Sequence, residues 1–176
     1  MEGLLEPETI VKMCGFFVGA KVADFGCGHG HLSLPIAKEI GSEGTLYAFD
    51  VLNEALEGLK RKAQLAGLNN IEVKKANLAL KKSTALRDGS LDFVLAANMM
   101  FQNPDSDKKE ILKEAYRVLK KGGKLIVIDW SVHSPIGPKN HKVDAQKIKA
   151  LATAIGFTEQ KSFNVGLSHW GIIFIK

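Results

Sequence analysis

The chain has 176 residues and a formal net charge of +5, from 24 Lys plus Arg against 19 Asp plus Glu. This length fits one domain with a sizeable core, and the scattered lysine pairs disfavour a nucleic-acid-binding surface. The sequence has no run of eighteen apolar residues, no basic-then-apolar leader and no lipidation signal, so we expect a cytoplasmic protein without a membrane anchor.

The first predicted elements are a helix, a strand and a second helix. Apolar residues recur at helical spacing over residues 4–17, which predicts an N-terminal helix that covers one side of a sheet. Residues 21–25 are mostly apolar and are bounded by glycines, as expected for a short buried strand. Leu32, Ile36 and Ile40 then have the spacing of a helix that packs on this strand.

Three glycines at alternate positions, Gly26, Gly28 and Gly30, join that strand to that helix. Glycine tolerates positive φ and lets the backbone lie close to a ligand. The dinucleotide fingerprint G-x-G-x-x-G is spaced differently, and the carboxylate of Asp24 just before the turn would repel a pyrophosphate. It would instead suit a cationic group. Cys27 is expected to pack inside the turn rather than to act as a nucleophile.

Asp24 and the three glycines closely resemble the acidic-x-G-x-G-x-G loop of class I S-adenosylmethionine-dependent methyltransferases. The resemblance implies that this turn, with Cys27, binds S-adenosylmethionine, whose amino-acid end is cationic. The alternatives are a tight turn that only packs strand on helix and a nicotinamide-dependent oxidoreductase. Asp24 and the missing sixth-position glycine disfavour the oxidoreductase.

The second predicted strand, residues 45–49, ends at Asp50, twenty residues after Gly30. An acidic residue at this spacing accepts hydrogen bonds from the ribose hydroxyls of a bound nucleoside. The other interpretation is an N-terminal cap, because Asn53 and Glu54 open the next helix. We assign the ribose role to Asp50 and place Val51 in the same site.

After a helical stripe and a third strand over residues 71–74, the chain reaches Asn77 and Leu78. In the methyltransferases that this chain resembles, the position of Asn77 is usually Asp and contacts the exocyclic amine of adenine. Asn77 departs from that pattern, although its amide oxygen is able to accept the same hydrogen bond. Both residues are therefore predicted to bind the cofactor.

A fourth strand is predicted over residues 91–96, and Asn98 follows it at the carboxyl end, where open α/β sheets bind ligands. The resemblance places Asn98 in the acceptor-facing turn, and we include it in the cofactor site. Asp107 and Glu110 predict a capping box for the next helix, which Gly122 and Gly123 would end before a fifth strand over residues 125–130. The run from 91 to 130 resembles small-molecule methyltransferases of the quinone-biosynthesis type.

The last third of the sequence offers candidates for a general base. A loop over residues 131–142 carries His133 and His141, which we assign as candidate catalytic residues because histidine titrates near neutral pH. Asp129 and His169 are further candidates. A helix over residues 148–155 and a hairpin of residues 157–165 and 170–175 complete the chain. No metal site is expected, because the histidines and cysteines lack the spacing of ligands.

These observations predict an α/β fold, a Rossmann-like three-layer sandwich with a seven-stranded, mostly parallel sheet and an antiparallel C-terminal hairpin. We expect a single methyltransferase domain over residues 1–176, with 1–19 as an N-terminal helical cap and 20–176 as the core. The resemblance implies methyl transfer from S-adenosylmethionine to a small-molecule acceptor by in-line displacement. Methylation of RNA or protein, and binding of S-adenosylmethionine without catalysis, remain alternatives.

Overall fold

The computed structural model of the chain describes residues 6–138 and 142–176. In chain order its elements are α1 (Pro7–Cys14), β1 (Lys21–Phe25), α2 (Ser33–Ile40), β2 (Thr45–Asp50), α3 (Asn53–Leu65), β3 (Ile71–Lys75), β4 (Leu91–Ala97), a 3-10 turn (Met100–Gln102), α4 (Asp105–Val118), β5 (Leu119–Trp130), α5 (Ala145–Ile155), β6 (Thr158–Val165) and β7 (His169–Ile175). No helix in these described ranges has the length and apolar character needed to cross a membrane.

All seven strands form one sheet in the order β3-β2-β1-β4-β5-β7-β6. Strands β1 to β5 pair in parallel, whereas β7 is antiparallel to both β5 and β6. This arrangement confirms the predicted sheet and its antiparallel C-terminal hairpin. Because β1 lies between β2 and β4, the strand order reverses beside β1, and the carboxyl ends of these strands border the crevice where open α/β sheets bind ligands.

Three clusters of buried apolar residues pack against the sheet, and the two larger ones lie on its opposite faces and make the three layers. On one face, α4 and α5 bury Leu112 and Ile148 in the core that also contains Phe25 of β1. On the other face, α1 and α2 bury Ile10 and Ile36 with side chains from the alternate positions of the strands. This alternation follows from the period of two along a strand, so the inner strands β1, β2, β4, β5 and β7 contribute to both cores.

The structure corrects two details of the predicted elements. Helix α4 begins at Asp105 with Pro104 as its N-cap residue, so Asp107 lies in the first turn and the predicted capping box is wrong. Strand β5 begins at Leu119, directly after α4, so the double glycine lies inside the strand. A register shift against β4 accommodates the extra residues, and a Cβ at Gly123 would lie 2.9 Å from the carbonyl oxygen of Lys120.

Candidate functional site

A cavity of about 590 Å³ lies at the carboxyl ends of β1, β2, β3 and β4. Its size is within the range typical of small-molecule and cofactor sites. Nine of the ten predicted cofactor-binding residues line it: Asp24, Gly26, Cys27, Gly28, Asp50, Val51, Asn77, Leu78 and Asn98. The tenth, Gly30, lines a different cavity. The structure therefore brings together residues that are spread over 75 positions of the sequence, from 24 to 98.

The glycine turn is tied to the end of β2 by its own backbone. The amides of Gly26 and Cys27 both donate to the carbonyl oxygen of Phe49, at 2.9 Å each. The amide of Gly28 donates to Oδ2 of Asp50, also at 2.9 Å. Gly28 has a φ of +50° and open space where a Cβ would lie, so a side chain at this position would extend towards the cavity. These hydrogen bonds therefore fix the backbone of the turn at the cavity wall.

Gly30 has a different role in the turn. A Cβ at this position would lie 2.3 Å from Cδ1 of Leu59, which is fully buried in α3, and the φ of Gly30 is +82°. The absence of a side chain at Gly30 therefore allows the turn to pack against α3. Of the three glycines, Gly26 and Gly28 line the cavity, and Gly30 packs against α3.

Asp24 is a buried carboxylate at the end of β1. The residue is only 3% exposed, and its Oδ2 accepts a hydrogen bond of 2.6 Å from the hydroxyl of Ser33. Burial raises the pKa of Asp24 to about 6; the Ser33 hydrogen bond lowers it, and the charge of Asp50 raises it further. Asp24 is therefore mainly ionised at pH 7 and places a negative charge in the cavity wall.

Asp50 accepts backbone hydrogen bonds with both carboxylate oxygens. Oδ2 accepts from the amide of Gly28, and Oδ1 accepts from the amide of Leu52 at 3.0 Å. Each oxygen retains a second lone pair with which to accept a hydroxyl proton from a ligand. The carboxylate also contributes to the start of α3 through Leu52, whose own side chain provides no cap. The two interpretations of Asp50 are thus compatible.

The side of the cavity beyond β2 and β3 combines apolar surface with one carboxamide. Val51 and Leu52 are 50% and 63% exposed, and Leu78 is buried. Oδ1 of Asn77 accepts a hydrogen bond from the amide of Ala79 at 3.0 Å, which holds the side chain in a local turn. Apolar surface with a few polar groups is typical of small-molecule sites.

Asn98 combines a strained backbone with an unsatisfied side chain. Its φ of +52° is unusual for a residue with a Cβ. The carbonyl oxygen of Asn98 accepts from Nε2 of Gln102 at 3.0 Å, whereas its side-chain Oδ1 is buried without a partner in the described part of the chain. Leaving a buried acceptor unpaired costs about 1–3 kcal/mol. Strain and an unmet hydrogen bond at one residue are typical of a ligand-binding position.

The predicted cofactor site left out several residues that line the same cavity: His29, His31, Leu52, Ala76, Ala79, Ala97, Gln102, Asn103 and Ile111. Two of them had a detectable signal. Gln102 and Asn103 each lie four residues after a residue whose carbonyl they bond, Asn98 and Met99 respectively. A pair of carboxamides at this offset, in the loop after a buried strand, indicates a braced turn at the sheet edge.

The candidate bases that the structure describes do not line this cavity. His133 is exposed and does not line the cavity. Its backbone amide donates a hydrogen bond to Oγ of Ser131. His141 lies outside the described residues. Asp129 is fully buried and accepts from backbone amides. His169 is 3% exposed, and burial lowers its pKa to about 4. The catalytic assignments of His133 and His141 stay predictions.

Neither thiols nor metal ligands give the described residues an obvious reactive centre. Burial, followed by the charges of Asp24 and Asp50, raises the pKa of the Cys27 thiol, so the thiol is protonated at neutral pH. Burial likewise raises the pKa of Cys14 to about 12. Over residues 6–138 and 142–176, no group of three or more His, Cys, Asp or Glu side chains is placed to hold a metal ion.

Among known proteins, this chain is similar to a demethylmenaquinone methyltransferase of Listeria welshimeri, with 34% identity over 113 residues that make up 64% of this chain and 46% of the relative. It is also 31% identical over 115 residues to an arsenite methyltransferase of Aquipseudomonas alcaligenes, covering 63% of this chain and 33% of that protein. The chain thus spans less than half the length of these curated relatives.

A solved structure gives a broader match. The fold is similar to that of a SAM-dependent methyltransferase from Aquifex aeolicus, with a TM-score of 0.86, 27% identity, and coverage of 98% of this chain and 90% of that one. The family model described as a methyltransferase domain matches residues 17–167, which include the glycine turn and every described cavity residue. The chain therefore belongs to the methyltransferase domain family.

Proposed function

We propose that this protein binds S-adenosylmethionine in the cavity at the carboxyl ends of β1 to β4 and transfers its methyl group to a small-molecule acceptor. The observation that carries the proposal is the charge of the cavity wall. Asp24 and Asp50 contribute two carboxylates, and no lysine or arginine is among the described lining residues. Such a wall attracts a cationic ligand and repels the pyrophosphate of a dinucleotide.

The residues present fit this cofactor in three places. The unsatisfied Oδ1 of Asn98 and the buried carboxylate of Asp24 offer acceptors to an ammonium group. Asp50 offers two oxygens to the ribose hydroxyls, and its bonds to Gly28 and Leu52 fix the direction of the carboxylate. Asn77 and the apolar side chains of Val51 and Leu78 would hold the adenine ring.

S-adenosylmethionine supplies a methyl group on a cationic sulfur, so the acceptor's lone pair displaces a good leaving group. The protein's part is then to align the two reactants and to exclude water. The braced turn after β4 serves alignment, because its carboxamides are held by hydrogen bonds to the carbonyls of Asn98 and Met99. A general base is required only for an acceptor that keeps its proton at neutral pH, and His133 and His141 remain the proposed candidates.

A small, partly apolar acceptor fits this wall better than a nucleic acid does. Met99 and Ile111 line the cavity beside the carboxamides of Gln102 and Asn103, whereas a phosphate backbone would require cationic side chains. The names of the two curated relatives suggest a demethylated quinone and arsenite as acceptors to test. We favour the quinone type, because arsenite is a thiophilic acceptor and both cysteines here are buried, protonated thiols. A cytoplasmic location is part of the same proposal.

The proposal is tested first by calorimetry with S-adenosylhomocysteine, the demethylated product, and with a nicotinamide dinucleotide as control. We expect micromolar affinity for S-adenosylhomocysteine and no measurable binding of the dinucleotide. Turnover is then measured with methyl-labelled S-adenosylmethionine against a reduced naphthoquinone, arsenite and a mixed-sequence RNA. Binding of the dinucleotide alone would refute the cofactor assignment, and labelled RNA in place of labelled quinone would refute the acceptor class.

The same measurements address a protein that binds the cofactor without catalysis. A silent sensor would bind S-adenosylhomocysteine normally but would transfer no label to any acceptor, including the small-molecule extract of the cells that produced it. Methyl transfer to a component of that extract supports catalysis even when the reduced naphthoquinone and arsenite both fail. The identity of the labelled product would then replace our preferred acceptor.

A further inference from the structure

Asp129 is a buried carboxylate that the proposed chemistry leaves without a role. It lies near the carboxyl end of β5, and its side chain is 0% exposed. Oδ2 accepts a hydrogen bond from the amide of Phe101 at 3.2 Å, and Oδ1 accepts from the amide of Trp130 at 2.7 Å. Phe101 is the central residue of the Met100–Gln102 turn. Asp129 therefore ties this turn to the neighbouring strand.

The turn carries part of the cavity wall. Gln102 and Asn103 line the cavity, and their side chains brace the carbonyls of Asn98 and Met99. The backbone makes a first tie to β5, since the amide of Asn98 donates to the carbonyl of Ile128 at 2.8 Å. Asp129 adds a second tie three residues further along, at Phe101. Two ties to β5 constrain the direction of the turn more than one tie does.

Stability alone gives a poor reason for a carboxylate at this position. Burial of an ionised group is unfavourable unless hydrogen bonds compensate, and a well-packed apolar side chain is often as stable or more so. Burial raises the pKa of Asp129 to about 6; the amides of Trp130, Phe101 and Met100 lower it, as does the charge of Lys108 on α4. The opposing effects leave an unfavourable balance, which points to a geometric role.

We propose that Asp129 is a positioning residue for the methyl acceptor, whose carboxylate holds the Met100–Gln102 turn so that Gln102 and Asn103 keep their places in the cavity wall. The inference rests on the proposed function, because it treats this wall as the acceptor side. Asp129 itself does not line the cavity, so it acts through the turn rather than by touching a reactant.

The state of Asp129 is expected to control the turn as pH changes. Above a pH of about 6 the carboxylate is ionised and accepts strongly from the amide of Phe101; below it, the carboxyl is protonated and the bond weakens. Lys108 is the charged side chain that acts on Asp129, and its Nζ is itself paired with Asp105 at 3.1 Å. The position of the turn should therefore respond to pH through Asp129.

One amide signal reports this contact directly. Phe101 is preceded by Met100, and no other methionine in the sequence is followed by phenylalanine. Protein labelled with carbonyl-¹³C methionine and ¹⁵N phenylalanine therefore gives a single coupled amide signal, that of Phe101. We expect this signal to titrate with a midpoint near pH 6 in the parent protein and to lose the titration in Asp129→Asn.

The matched control is Asp92→Asn. Asp92 also accepts from a backbone amide, that of Lys21 at 2.9 Å, and its other carboxylate oxygen accepts from Nζ of Lys120. It lies at the opposite end of β4 from the cavity. Both substitutions remove one carboxylate that bonds the backbone. The control should keep the titration of Phe101, so a loss confined to Asp129→Asn cannot be a general effect of lower stability.

The kinetic consequence is a split between the two substrates. With the best acceptor from the turnover assay, at pH 7.5 and saturating cofactor, Asp129→Asn should lower kcat/KM for the acceptor at least tenfold and change the Kd of S-adenosylhomocysteine less than twofold. Equal losses in acceptor kcat/KM and in S-adenosylhomocysteine affinity, or an unchanged kcat/KM, would overturn the inference. A Phe101 signal that does not titrate in the parent protein, or that still titrates in Asp129→Asn, would also overturn it. If the parent protein does not bind S-adenosylhomocysteine, the proposed function is refuted instead. The Phe101 titration tests the hydrogen bond between Phe101 and Asp129 independently of that result.

Discussion

The ribose role of Asp50 leads to the most direct test of the cavity. In Asp50→Ala, a bound nucleoside loses two hydrogen bonds to a charged acceptor, each worth about 1.5–3 kcal/mol. The carboxylate also accepts from Gly28 and Leu52, so its removal frees the backbone that lies against the ligand. Taking the lower value for each bond gives a loss of about 3 kcal/mol, which is roughly a hundredfold weaker binding of S-adenosylhomocysteine.

Asp50→Asn should have a smaller effect, because the carboxamide keeps one accepting oxygen while its NH₂ faces a backbone donor. We expect roughly a tenfold loss for this variant, about 1.4 kcal/mol. Glu54→Ala is the matched control, since it removes an exposed acid from the first turn of α3 outside the cavity. Calorimetry on the three variants, with a thermal melt of each ligand-free protein, separates binding from folding. Parent-like affinity in Asp50→Ala would refute the ribose assignment.

Three further predictions concern the turn, the pH and metal ions. Gly28→Ala should weaken S-adenosylhomocysteine binding while lowering the free energy of unfolding by only about 1 kcal/mol, the cost of its left-handed φ. Gly30→Ala has the same backbone strain plus the clash with Leu59, so it should lower the free energy of unfolding by about 2–4 kcal/mol, a loss that Leu59→Ala in the same chain partly relieves. Equal effects of the two alanines on binding would contradict the division of roles. Affinity for the cationic cofactor should rise as pH increases through about 6, where Asp24 ionises. Ser33→Ala should move this midpoint upward, because it removes a hydrogen bond that lowers the pKa of Asp24. A calorimetric affinity that stays constant from pH 5 to 8 would contradict the role of Asp24. Methyl transfer should continue at the same rate in a strong chelator, and a loss that a divalent ion restores would show a metal requirement.

The sheet and most of the cavity were predictable because both follow from short-range patterns. Apolar runs bounded by glycines marked β1 and β2, and helical spacing marked α2 and α3. Once parallel strands are placed side by side, the residues after their carboxyl ends must meet at one edge. For this reason Asp24, Asp50 and Asn98 were found from the sequence, although they are far apart along the chain.

The parts that were missed depend on contacts between distant segments. Nothing near Gly30 in the sequence shows that a Cβ at this position would lie 2.3 Å from Cδ1 of Leu59. Gly30 was therefore assigned to ligand binding. The early start of β5 depends on its register with β4. The ring of Trp130 packs on that of His169, with centroids 4.0 Å apart, because β5 and β7 pair in the sheet. Such pairings across strands have no local signature.

Asp24 and Asp50 of the cavity are arranged in a way that favours ligand binding but lowers the stability of the ligand-free protein. Asp24 is almost fully buried beside a second carboxylate, and both its burial and the charge of Asp50 oppose its ionisation. The Ser33 hydroxyl offsets only part of this, since the pKa stays above its ordinary value. A cationic ligand in the cavity would relieve the repulsion between the two carboxylates, so the arrangement is more favourable with such a ligand than without it. The same feature that weakens the ligand-free protein therefore selects for positive charge in the ligand, as expected where a site departs from the rules that stabilise the rest of a fold.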